Sequence, residues 1–313
     1  MHPQLPPPML RAAGLTMTYP AGATALAGLT VDVPAGSVGL VGANGAGKTT
    51  LFRLMLGLMQ PTAGWLEVAG RGVAADPVGV RSRRGYMPEH DCLPLDQTAS
   101  DIVATFGELA GLPPRAARQR ASDVLDLAGL DEARFRPVGG FSTGMRQRTK
   151  LAQALVADPE LVLLDEPTAG LDPVGREDML DLVGRLAGFG ISVLLATHLL
   201  DDVQRVCDHV VMIDRGHLVL AGPIDQLMQT TGLMRVEVGG RPGAVGALAA
   251  ALAERGLEAE AVDDHNLDVD TSGHDEAVFD VVRDMVADLD LRLYSLSTRH
   301  RSLDDVFLQE AAR

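Results

Sequence analysis

The stretch Gly42-Ala43-Asn44-Gly45-Ala46-Gly47-Lys48-Thr49 limits what this chain can become more than any other. It satisfies G-x-x-x-x-G-K-[ST] and lies between a β-branched, small-residue run at Ser37–Val41 and a segment of helical apolar spacing at Thr49–Met59. The local order is therefore strand, glycine turn, helix. Such a loop curls so that successive backbone N–H groups and the next helix N-terminus face one point, the geometry that holds a triphosphate. Lys48 is placed to meet the β and γ oxygens, the Thr49 hydroxyl to reach Mg2+, with Thr50 beside it.

The rest of the chain supplies an α/β frame for this loop. Leu161–Leu164 and Ile191–Ala196 are continuous apolar runs bounded by turns, as expected of strands buried on both faces of a parallel sheet. Leu15–Leu40 alternates between glycine and proline breaks and predicts short antiparallel strands. From about Pro94 to Pro159 the period switches to helical, which predicts an inserted helical subdomain over about 90–158. After Gly232 the order is β-α-β-β-α-β, that of a ferredoxin-like domain, with a last helix starting at Ser302 and Asp305 in the capping position.

Asp165 and Glu166 follow a buried run directly, at the strand ends where open α/β sheets hold ligands. Asp165 is expected to hold Mg2+ through water and Glu166 to polarise water for in-line attack on the γ-phosphate. Alone, an apolar run ending in Asp-Glu is an ordinary strand-to-turn boundary; Lys48 and Thr49 upstream tip it to function.

Composition narrows the partners. The 313 residues carry 27 basic and 42 acidic side chains, a net charge of -15, which excludes binding to nucleic acid or anionic lipid through bulk positive charge. ATP binding survives because the loop dipoles act at contact distance, while remote carboxylates are screened beyond about 8–10 Å. Cys92 and Cys207 lie far apart and indicate neither a disulfide framework nor a zinc site, which fits a reducing cytosol. Met1–Leu10 is proline-rich, lacks a basic-then-apolar pattern and reads as a frayed leader. No apolar run approaches the roughly 20 residues that span a bilayer, so a membrane role needs a separate partner.

With these residues in hand, Phe141-Ser142-Thr143-Gly144-Met145 followed by Arg146-Gln147-Arg148 resembles the signature segment of ATP-binding cassette (ABC) ATPases. The resemblance covers about 9–225 and implies a P-loop core with an antiparallel β subdomain, the helical insert, and a separate C-terminal domain over 232–313. It implies that Ser142, Thr143, Gly144 and Met145 close on the nucleotide of an opposite subunit. A serine N-cap followed by a helix N-terminus suits an anion. The family's usual Leu, second Gly and Gln are here Phe141, Thr143 and Met145. Asp172, in Ala169-Gly170-Leu171-Asp172, resembles the D-loop aspartate, and His198 the switch histidine that contacts γ-phosphate. Tyr19 resembles the aromatic that stacks on adenine, with an edge-strand role as the alternative. In Gly85-Tyr86-Met87-Pro88-Glu89, Glu89 stands where the family usually has the Mg2+-sensing Gln.

The resemblance implies an ATPase that dimerises around two ATP and drives a separate membrane permease from the cytoplasmic face. The C-terminal domain and Arg301-Ser302-Leu303-Asp304-Asp305-Val306-Phe307 resemble bacterial multidrug and antibiotic-efflux ATPases, and so imply export. The alternative, a soluble cassette ATPase acting on ribosomes or nucleic acid, usually carries two cassettes or a long coiled-coil insertion, and meets the acidic balance as an obstacle. A module that binds ATP without turnover is disfavoured by Glu166 and His198. For the C-terminal domain, a regulatory or dimer-bracing module and a ligand sensor both stay open.

Overall fold

A computed structural model describes residues 8–228, 230–271 and 277–300. The expected helix at Ser302 and the Arg301–Phe307 tail lie outside the described residues. Among the described residues there are three sheets, and the chain divides between Ile224 and Asp225 into two compact units.

In the first unit, β1 (Leu10–Thr18) and β2 (Thr24–Val33) pair antiparallel and turn Leu10, Ala12, Leu15 and Met17 inward. With β4 (Ala63–Val68) and β5 (Arg71–Gly72) they make a sheet of order β2-β1-β4-β5. Gly28, which reads as a strand break in the sequence, sits inside β2, and Gly14 inside β1, where the β1–β2 register shifts. Bulges of this kind let a strand run on past a glycine.

The second sheet has the order β10-β9-β3-β8-β7-β6. It uses β3 (Ser37–Val41), β6 (Arg84–Met87), β7 (Leu161–Asp165), β8 (Ser192–Thr197), β9 (His209–Asp214) and β10 (His217–Pro223). The pairs β9–β3, β3–β8, β8–β7 and β7–β6 are parallel, and β10 returns antiparallel beside β9. Every residue of β3 and β7 is buried, which is why their sequences are apolar without alternation.

Eight α-helices of the described chain join or follow these strands: α1 (Lys48–Met55), α2 (Pro77–Arg81), α3 (Ala99–Leu109), α4 (Pro114–Leu127), α5 (Thr143–Leu155), α6 (Pro173–Gly188), α7 (Leu200–Val206) and α8 (Ile224–Leu227). Helix α1 stops short of the predicted Met59 because the chain turns at Gly57. Helix α6 begins at Pro173, and Asp172 caps it by accepting from the Gly175 N–H at 3.2 Å. The short helices α2 and α7 were too brief for periodicity to reveal.

The second unit holds β11 (Thr230–Gly239), α9 (Ala244–Glu254), β12 (Ala259–Ala261), β13 (Asn266–Asp270), α10 (Ala277–Asp288) and β14 (Arg292–His300). Its antiparallel sheet has the order β12-β13-β11-β14, the ferredoxin-like arrangement that the sequence predicts. Val236, Leu248, Leu267 and Val282 belong to its own core, distinct from the core around Leu40, Phe52 and Leu163 in the first unit.

Candidate active site

Parallel pairing decides where the chemistry gathers. Val41 lies opposite Thr197, Ala196 opposite Asp165, and Leu164 opposite Met87, so the carboxyl ends of β3, β8, β7 and β6 share one edge. Gly42–Thr49, Thr197-His198, Asp165-Glu166 and Pro88-Glu89 all leave the sheet there. A pocket at this edge is lined by Ala25, Ala43, Asn44, Gly45, Gly47, Lys48, Thr49, Thr50, Glu89, Asp165 and Glu166.

The loop is built for backbone approach. Gly47 has φ 110, and a Cβ there would meet the Ala25 carbonyl oxygen at 2.5 Å. Gly42 is as tight, its Cβ meeting Ile213 O at 2.4 Å. Ala46 packs in the core below, its N–H on the Ala43 carbonyl at 3.0 Å. Among the described residues no side chain caps the start of α1, which leaves the helix N-terminus to an anion. Lys48 is 6% exposed. Its ammonium donates to Gly42 O at 2.5 Å and lies 3.4 Å from Glu166 Oε1. Tyr19 shares a hydrogen bond with Thr50 Oγ1 at 3.1 Å and packs against the first unit's core.

Around the carboxylates the residues fit a metal. Asp165 Oδ2 accepts from Thr49 Oγ1 at 3.0 Å, while buried Oδ1 has no hydrogen-bond partner among the described residues. An orphaned carboxylate oxygen next to a hydroxyl is the donor set that a hard divalent cation takes. The Asp165 carboxyl is pushed above its usual range by burial first, then, against the Thr49 hydrogen bond, by the Glu89 and Glu166 charges. The neighbouring Tyr86 phenol is pushed up to about 12 by burial and by Asp165, so it stays a neutral group beside that carboxylate.

Glu166 has φ 47, a left-handed conformation costly for a residue with a Cβ, held by its N–H on Ala196 O at 2.9 Å. That backbone turns the side chain to Thr197, whose hydroxyl donates to Oε2 at 3.2 Å, and to His198, whose Nδ1 lies 3.1 Å from both oxygens. The resemblance puts His198 on γ-phosphate; here the ring is fixed first by Glu166.

Ser142, Thr143, Gly144 and Met145 lie elsewhere. Ser142 Oγ caps α5, accepting from the Met145 N–H at 3.3 Å. The four residues line a second concavity with Arg148, Gly170, Leu171 and Asp172, none of which lines the first pocket. Asp172 caps α6 through Oδ1 while also lining this concavity.

Three supporting residues escaped sequence reasoning. Gln147 Nε2 donates to Ala169 O at 3.1 Å, tying α5 to the Ala169–Asp172 loop. Buried Asp202 accepts from Thr168 Oγ1 at 2.7 Å and from Arg176 Nε at 2.6 Å, tying α7 to the segment after Glu166. Lys150 donates to Pro88 O and Glu89 O. Its signal was available: Lys150 lies beside Leu151, Ala154 and Leu155 among the buried residues of α5, and a lysine so placed needs a partner.

A phosphate-cradling loop, a buried metal-fitting carboxylate and an adjoining Glu–His pair at a parallel-sheet edge define a P-loop nucleotide hydrolase. The ABC transporter family model matches residues 26–169. A daunorubicin resistance ATP-binding protein of Streptomyces coeruleorubidus is 37% identical over 269 residues, 86% of this chain and 84% of that protein. The Nod factor export ATP-binding protein I of Ralstonia nicotianae is 35% identical over 285 residues, 87% of this chain and 84% of that protein. Among solved structures, cbiO1 of Clostridium perfringens, part of the ABC transporter complex cbiONQ, superimposes with a TM-score of 0.64 at 27% identity, over 71% of this chain and 90% of that one. This chain belongs to the ABC transporter family as one of its ATP-binding proteins, an ATPase that takes ATP with Mg2+. An alignment of 269 residues is longer than the stretch up to Ile224, so the likeness extends into the second unit.

Proposed function

We propose that this protein is the ATP-hydrolysing subunit of an exporter, working as a homodimer that encloses two ATP and drives a separate membrane permease from the cytoplasmic face. The observation that carries the dimer is the separation on one chain of the Lys48 pocket from the Ser142–Met145 concavity. Each half lacks what the other has, and a second copy supplies it. Export is supported by relatives named for drug resistance and Nod factor export, which match at over a third identity across most of their length. Among the described residues no helix is long and apolar enough to cross a membrane, so the transport path is assigned to the partner.

In this reading the ATPase domain spans 9–225, with its helical subdomain at about 90–158, and 232–313 is a regulatory or dimer-bracing domain. Gly42–Thr50 and Lys48 hold the phosphates, Tyr19 the adenine, and Ser142–Met145 with Asp172 meet the nucleotide of the partner copy. Thr49, Asp165 and Glu89 hold Mg2+, which when bound neutralises phosphate charge. Glu166 accepts a proton from the attacking water at a carboxylate oxygen, and Thr197 and His198 keep that carboxylate aimed. Lys48, against both Gly42 O and Glu166, balances the buried carboxylate until substrate phosphate takes its place.

The test is Glu166→Gln, which retains phosphate binding and removes the base. With ATP and Mg2+ it is expected to double in mass by light scattering and to release no phosphate. A variant that binds ATP yet stays monomeric overturns the composite site.

A further inference from the structure

Lys150 is 1% exposed, and its ammonium donates to the carbonyls of Pro88 at 2.8 Å and Glu89 at 2.9 Å. A buried ammonium is costly unless charge and hydrogen bonds compensate it. Burial holds the Lys150 ammonium below the usual lysine range, and the partial compensation comes from one loop: two of its carbonyls, and within electrostatic reach Asp91 and Glu89, with Asp165 behind them. The same loop is tied a second time to α5, through Arg146 and Asp91 at 3.5 Å.

The pocket side of that loop carries Glu89, which joins Asp165 and Glu166 in the lining of the nucleotide pocket. Three carboxylates around one space repel each other. A fixed cation behind the loop offsets that repulsion and sets where the third carboxylate stands.

Resting on the reading that Glu89 faces the Mg2+ of bound nucleotide, we infer that Lys150 is the positioning residue for Glu89, clamping its loop by two carbonyls and supplying the charge that keeps a third carboxylate at this pocket. Because Lys150 lies two turns along the helix that begins beside Ser142, the clamp also makes the Glu89 loop move with the end of α5 that carries Ser142–Met145. Lys150 is not among the residues that line the nucleotide pocket and acts through the loop alone.

A double-mutant cycle on the full chain tests this without turnover. The readout is the Mg2+ concentration giving half-maximal enhancement of binding of a fluorescent, non-hydrolysable ATP analogue, alongside hydrogen exchange of the amides in 85–93. Glu89→Ala is expected to raise the Mg2+ midpoint, and Lys150→Met to raise it about tenfold, the usual scale for a group that orients a metal ligand. On the Glu89→Ala background Lys150→Met should add less than about twofold, since nothing remains to position. Exchange in 85–93 should quicken with Lys150→Met. Should that variant fail to fold, Lys150→Gln, which keeps a donor and removes the charge, carries the same cycle. A midpoint unmoved by the Lys150 change, or one that moves equally with and without Glu89, overturns the inference. If Glu89→Ala itself leaves the midpoint unmoved, the metal-facing reading of Glu89 has failed instead.

Discussion

Asp165 is 1% exposed at the end of β7, with one oxygen on Thr49 and the other without a hydrogen-bond partner among the described residues, and its proton affinity is raised chiefly by burial. A carboxyl whose folded value is raised binds its proton more tightly in the native state than in the unfolded chain. Its contribution to stability is complete below the ordinary aspartate range and is lost as pH rises through the raised value. At neutral pH the ionised form is therefore a net cost in the nucleotide-free protein. We expect Asp165→Asn to raise the Tm of that state at pH 7 by roughly 2–4 °C, on the order of 1 kcal/mol in a domain of this size, with the gain vanishing at acidic pH. The same variant should lose the Mg2+-dependent stabilisation that ATP gives the parent. Thermal melts across pH, with and without Mg-ATP, decide it; a lower Tm in the nucleotide-free state would show that the charge is already compensated. Motif spacing made Gly42–Thr49, Asp165 and Glu166 stand out in the sequence, while His198 and Tyr19 entered only through the family resemblance. Asp202 was not legible there, since a buried charge is recognised by what surrounds it, and for Lys150 only the need of a partner was legible, not which partner.

Strand β6 and helix α5 depend on each other more closely than their 55-residue separation in sequence suggests, counting from Met87 to Thr143 with both ends outside. Gly85 in β6 lies so close to α5 that a Cβ would meet the Ala154 carbonyl oxygen at 2.1 Å and its carbon at 3.0 Å. Both are backbone atoms, which yield only if the helix shifts. Gly85→Ala should therefore cost about 1–3 kcal/mol, the range for overpacking a close contact, and lower the Mg2+ sensitivity of nucleotide binding by moving the Glu89 loop. Denaturant unfolding followed by nucleotide titration checks both parts, and an unchanged midpoint of unfolding would mean that the elements slide apart freely. In the sequence the two segments stand apart, α5 within the helical stretch of about 94–159 and β6 in Gly85–Glu89. Their contact has no signature in either segment, because a glycine that permits helix approach looks like a glycine in any strand.

At the level of the whole molecule, two cores are filled independently, one around Leu40, Phe52 and Leu163 and one around Val236, Leu248 and Val282. The nucleotide pocket is lined wholly by residues of the first unit. A chain ending after residue 228 is expected to bind ATP within about twofold of the full protein while dimerising less readily, because the affinity is set by the loop dipoles and Lys48 at contact distance. Calorimetry and light scattering on the truncated chain test this, and a loss of affinity as large as that of Lys48→Ala would refute it. The second unit's sheet also carries a bidentate Arg235–Asp268 pair, at 2.7 and 2.8 Å, across β11 and β13.

The order strand, glycine loop, helix and the apolar runs ending at Asp165 and Thr197 settled the α/β class and the nucleotide chemistry without any coordinates. Both are consequences of local backbone geometry and burial periodicity, which short segments carry by themselves. The β-α-β-β-α-β order of the last third was legible for the same reason. Only the tertiary structure decided that Glu166 adopts φ 47 and meets Thr197 and His198, that Gly14 and Gly28 lie at bulges within unbroken strands, and that Lys150 grips the Glu89 loop. Those facts depend on which distant segments share a sheet edge or a helix face, and the energy that fixes them is shared between residues that no local pattern connects.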